Sequence, residues 1–195
     1  MAKKGVVNAR NILYSKPLSF QSNTDEIENG FLVSMGDLVD YEDSIYEALE
    51  PATAALTQKM YLVDDPAWSY YTQPADIQNP ENYIIPVGKA FRVRDLSANN
   101  KIDISDYSID GAVDVGNYVT AADGSYKHFA SATAPAATAG FVGVIEAIND
   151  VGYFATVGSY GKPGVSGSGT GTGLGYGVDG RYKMVTIKII KNTNN

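Results

Sequence analysis

Cysteine is absent from the 195-residue chain, and histidine and tryptophan occur once each. The lack of cysteine excludes a disulfide framework, a thiolate metal site and a thiol nucleophile, and leaves the redox compartment open. With one histidine and no cysteine, zinc is not expected. Long apolar runs are missing too. Near the start, Val6-Val7 and Ile12-Leu13-Tyr14 are separated by Asn8, Arg10 and Asn11, so no signal-peptide core forms, and no run reaches membrane-spanning length. The expectation is a soluble chain made in a cytoplasm, with no membrane partner.

Positive charge is scarce overall. A net charge of −7 argues against nucleic acid as the main partner, because phosphate binding needs a basic footprint. The charges are also unevenly placed. Residues 1–24 carry Lys3, Lys4, Arg10 and Lys16 with no acid, whereas 25–50 carry Asp25, Glu26, Glu28, Asp37, Asp40, Glu42, Asp43, Glu47 and Glu50 with no base. The tail is basic again through Arg181, Lys183, Lys188 and Lys191. Residues 1–28 therefore read as an arm ahead of a domain at 29–195. That arm either lies on an acidic surface, its own or a partner's, or is a solvated terminus.

A length of 195 residues suits one domain, or one domain and an arm, with a core that needs no staples. Fourteen tyrosines and turn residues recurring about every ten positions point to a mainly β protein, a small barrel or sandwich with long loops and an extended N-terminal arm. In 183-KMVTIKII-190, Val185, Ile187 and Ile189 share one face and Thr186 and Lys188 the other, as in a half-buried strand. The run 118-YVTAADGSYKHFA-130 predicts a tight hairpin at Asp123-Gly124. Strands are also expected within 84-IIPVGKAFRVRDL-96 and 99-NNKIDISDYSIDG-111, in the doubly buried 140-GFVGVIEAI-148, and around Tyr153, Ala155 and Val157. The segment 130–140 reads as an extended connection. The best helix candidates, 43-DSIYEALE-50 and 52-ATAALTQKM-60, fit loop or strand as well.

Half of the twenty glycines fall between Gly158 and Gly180. A P-loop needs Gly-Lys followed by Ser or Thr, and the two Gly-Lys pairs are followed by Ala90 and Pro163. A dinucleotide-type pattern occurs as 175-GYGVDG-180, but a strand follows it where the mechanism needs a helix N-terminus. The tract reads as a long connection that binds no small molecule and, if anything, protein. His128 reads as a surface imidazole on a hairpin strand. The acid pairs Asp64/Asp65, Asp103/Asp106 and Glu146/Asp150 read as solvated loop acids, and Asp103, Asp106 and Asp110 would hold calcium only weakly because their spacing misses the EF-hand pattern. No catalytic residue, cofactor or metal site is assigned. Trp68, Tyr70 and Tyr71 sit in a segment with three prolines and would anchor that loop, to its own core or to a partner.

One resemblance rests on order rather than on any single motif. The chain runs from 29-NGFLVSMGDLV-39 through 45–68 to 86-PVGKAFRVRDLS-97, 101-KIDISDYSIDG-111, 115-VGNYVTAADGSYK-127 and 141-FVGVIEAI-148. In this order, over roughly residues 29–148, it resembles the head decoration proteins of tailed bacteriophages. The resemblance implies a non-enzymatic virion protein that binds the outside of an assembled capsid, often as a trimer, with the major capsid protein as partner. Lys3, Lys4, Arg10, Lys16, Trp68, Tyr70 and Tyr71 are the contact candidates under that reading. Two other readings stand beside it. A carbohydrate-binding or adhesion module would use coplanar aromatics as part of a larger polypeptide, which suits less well a chain with only Asn192–Asn195 beyond its last strand. A carboxylate-pair hydrolase would gather two acids in one cleft.

Overall fold

The structure, a computed structural model, describes residues 5–8, 17–53, 55–65, 83–151 and 182–193. Among the described residues, twelve strands form two β layers. Five of them, β2 (Pro17–Gln21), β3 (Leu32–Leu38), β4 (Ile45–Leu49), β5 (Tyr61–Val63) and β6 (Ala90–Asp95), close a barrel in the order β2-β4-β3-β5-β6. Its seam is made by β2, which runs parallel to β4 and antiparallel to β6. The remaining seven are β1 (Val7–Asn8), β7 (Lys101–Ser105), β8 (Ile109–Gly111), β9 (Tyr118–Ala121), β10 (His128–Ser131), β11 (Phe141–Val151) and β12 (Tyr182–Asn192). They form one sheet in the order β1-β7-β12-β11-β9-β10-β8.

Two barrel strands face both cores. Along β5, Tyr61 and Val63 belong to the barrel core with Phe20, Phe91 and Val93, while Leu62 between them packs into the sheet core with Ile102, Ile145 and Ile187. On β3, Leu32 and Val33 divide in the same way. Period-2 geometry sends successive side chains to opposite faces, so a strand with a core on both sides is apolar throughout. The mainly β character and the barrel match the expectation, and Val185, Ile187 and Ile189 of β12 are fully buried as their alternation predicts.

Several expectations are corrected. The helix candidate 43–50 contains β4, paired on both sides, and 52–60 holds only a 3-10 turn at Ala55–Thr57. Barrel closure supplies partners on two flanks that a lone helix would lack, and this outweighs local propensity. Within the expected arm 1–28, Val7–Asn8 pairs with β7, Pro17–Gln21 closes the barrel, and Phe20 and Ile27 are fully buried. The hairpin of β9 and β10 forms, but its loop spans 122–127 and is not a two-residue turn. Gly124 alone takes positive φ there, at 64°, its N–H donates to the Pro51 carbonyl, and the Asp123 carboxylate accepts from Thr53. Contacts with residues 51–53 thus hold the loop open. The strand expected around Tyr153–Val157 and the glycine tract 158–180 lie outside the described residues.

Candidate interaction surface

Among the residues expected to carry function, Lys3, Lys4, Arg10, Lys16, Trp68, Tyr70 and Tyr71 lie outside the described residues. The described residues on either side of the segment that contains Trp68 are Asp65 and Tyr83. Asp65, just ahead of that segment, and Tyr83, just behind it, are tied together: the Tyr83 hydroxyl donates to Asp65 Oδ2 at 2.5 Å. Lys89 Nζ adds contacts of 2.6 Å to Tyr83 Oη and 3.3 Å to Asp65. Asn29 holds the backbone of Asp65 from both sides, donating to its carbonyl and accepting from its N–H. Burial, then the bond to Asp65, raises the Tyr83 pKa. For Lys89 burial acts downward, but the Tyr83 bond and the Asp65 charge outweigh it and the pKa is raised. The phenol and the ammonium therefore both keep their protons at neutral pH, and the cluster works as a clamp rather than as a base.

The other acids are committed in a similar way. The Asp64 carboxylate meets Arg94 at 2.7 Å and Arg92 at 3.2 Å. Asp103 accepts from Thr186, Asp106 from the Lys183 amide, and Asp110 pairs with Lys127, so the expected calcium ligands serve three separate local bonds. Glu146 pairs with Lys101. Among the described residues no three His, Asp or Glu side chains gather as a metal site. A depression of about 340 Å³ between residues 53–57 and 135–141 is lined by threonine, alanine and Phe141, with no ionisable side chain. It offers no acid or base.

The sole histidine is a correction. His128 is fully buried, not on the surface, with Nε2 2.9 Å from the Gly30 carbonyl and its ring edge-on to Phe141. The carbonyl can only accept, so Nε2 carries the proton. Desolvation, only partly offset by the Gly30 bond, lowers its pKa to about 4. A buried, neutral imidazole facing backbone has no route to a substrate.

The feature that residue-by-residue reasoning missed is the hairpin of β3 and β4. Asp37, Asp40, Glu42, Asp43, Glu47 and Glu50 lie on it with no base in the same stretch, and Tyr41 at its tip is fully exposed. Tyr41 also adopts φ of 67°, a left-handed conformation unfavourable for a bulky residue. Leu38, near the tip, and Leu49, opposite Ser34 at the base of the hairpin, are half-exposed. The acidic run was visible in the sequence; the aromatic tip was not, because nothing local distinguishes an exposed tyrosine from a core one. No helix among the described residues is long and apolar enough to cross a membrane. Comparison with protein-family models, with curated proteins and with solved structures finds no match.

Proposed function

We propose that this chain is a non-enzymatic structural protein that binds the outside of an assembled phage capsid and stabilises it, with the major capsid protein as partner and a trimer as the working form. The observation that carries the reading is the β3–β4 hairpin: six acids along it and a fully exposed, conformationally strained tyrosine at its tip. A protein surface of opposite charge complements such a shape, whereas a small molecule finds no enclosure on it. The order of strand segments in 29–148 supports the same reading. The segments Gly88–Arg92, Gly116–Val119 and Phe141–Gly143 that carry the resemblance each contribute to a strand, β6, β9 and β11. A protein that binds the assembled shell and not its free subunits stabilises the shell by linkage, and three-fold attachment lengthens its residence.

The test is to purify particles of the source virus and count this chain against the major shell protein by quantitative mass spectrometry. Many copies per particle, and a loss of heat resistance on deletion of the gene, are expected. Absence from particles, or a handful of copies, would overturn the assignment and favour an adhesion module.

A further inference from the structure

The barrel and the sheet are fastened by a short set of polar contacts. His128 donates from Nε2 to the Gly30 carbonyl, the Leu32 amide donates to the Tyr126 carbonyl at 2.7 Å, and Asn192 bonds Met60 and Leu96. Around His128 the set is incomplete. His128 Nδ1 is buried and has no hydrogen-bond partner, and neither has the buried hydroxyl of Ser108, the residue before Ile109, which stands opposite His128 in the β8–β10 register. Ser108 Oγ also lies 3.0 Å from where a side chain on Gly30 would begin, and His128 Nε2 bonds the Gly30 carbonyl, so both residues that carry an unpartnered atom adjoin the same glycine.

We propose that His128 is an acid-sensitive latch between the two β layers: neutral, it fastens the barrel to the sheet through Gly30, and on taking a proton at Nδ1 it opens that junction ahead of the sheet interior. The proton would place a full charge in a fully buried site beside an aromatic ring. Burying an uncompensated charge is costly, and opening the junction lets water reach it.

No neighbouring charge offsets this. Asp110 on β8 and Lys127 next to β10 pair with each other at 3.2 Å. Glu28, two residues before Gly30, accepts the Gly5 amide at 2.8 Å, and Glu146 on β11 pairs with Lys101. The Tyr126 hydroxyl bonds Asp25, and Tyr118 is the ionisable group of β9. Burial and the Gly30 carbonyl alone set the imidazole's pKa, at about 4 against 6.5 for the free group. The latch is independent of the capsid reading.

The proton uptake can be read directly, because His128 is the only histidine. In untagged protein with isotope-labelled histidine, a single imidazole resonance is expected to titrate near pH 4; titration near 6.5 overturns the proposal. Hydrogen exchange then locates the opening. After correction for intrinsic rates, the Leu32 amide is expected to lose protection roughly 100-fold between pH 7 and pH 4 and to be clearly less protected at pH 4 than the amides of β7 and β12. His128→Gln keeps a donor for Gly30 without titrating and should flatten that profile. Equal profiles in both proteins, or protection of Leu32 at pH 4 no lower than that of the β7 and β12 amides, would also overturn it. Should His128→Gln fail to fold, the wild-type titration and exchange decide by themselves.

Discussion

Single residues do most of their work here at the seam between the layers. Asn192, at the end of β12, accepts from the Met60 amide at 2.9 Å and donates to the Met60 and Leu96 carbonyls at 2.8 and 2.9 Å. One buried side chain thus satisfies three backbone groups on two other segments. Asn192→Ala should cost about 2–4 kcal/mol, because buried backbone groups then lose their partners. Denaturant unfolding checks this, and a loss below 1 kcal/mol would mean that water replaces the amide. His128 contributes with a definite sign. Its folded pKa of about 4 lies below the ordinary 6.5, so above pH 6.5 both states are neutral and stability is at its full level. As pH falls from 6.5 towards 4 the unfolded chain takes up the proton first, and stability should drop by about 3 kcal/mol over that window. Urea midpoints measured at pH 7, 5.5 and 4.5, compared with those of His128→Gln, isolate this from the carboxylates. Neither role was legible in the sequence. His128 was placed on the correct strand, but alternation within a hairpin does not say which face meets a second layer.

At the scale of elements, β2 and the β3–β4 hairpin carry opposite lessons. β2 closes the barrel, and Phe20 on it packs against the rings of Tyr46 and Tyr61 with centroids 6.0 and 5.2 Å apart. The charge pattern set residues 1–28 apart as an arm, since basic residues before position 24 give way abruptly to acids; charge says nothing of which backbone completes a ring of hydrogen bonds. Truncation through Gln21 should abolish the cooperative melt of the barrel, by removing the strand that pairs with both β4 and β6. A folded, cooperatively melting product by circular dichroism would show that the ring closes without it. The hairpin, in contrast, holds strain without evident structural return. Tyr41→Gly should raise stability by up to about 1 kcal/mol, because glycine accepts the left-handed conformation freely. The same change should weaken attachment to shells in a sedimentation assay. Unchanged attachment would remove Tyr41 from the contact.

For the whole molecule, the proposed capsid binding would be governed by charge. With a net charge of −7 and six acids concentrated on one hairpin, binding to a basic shell surface should weaken several-fold between 50 and 500 mM salt, as screening shortens from well over 10 Å to a few ångströms. Cosedimentation with shells across that range checks it, and salt-independent binding would point to apolar contacts instead.

The sequence by itself determined the mainly β class, the faces of β12, the apolar strand at Phe141–Ile145 and the uneven charge, because alternation, turn residues and ionic groups are local properties of the chain. The tertiary structure alone decided the rest: that β5 and the first three residues of β3 are buried on both faces, that Pro17–Gln21 is a barrel strand, that Ile45–Leu49 pairs as a strand, and that the one histidine is fully buried. Each of these depends on a partner far away in sequence. The β2–β6 pairing joins residues 69 to 77 positions apart, and the Met60–Asn192 bonds span 132. Ring closure and layer contact are set by such long-range complementarity, which no short window of sequence contains.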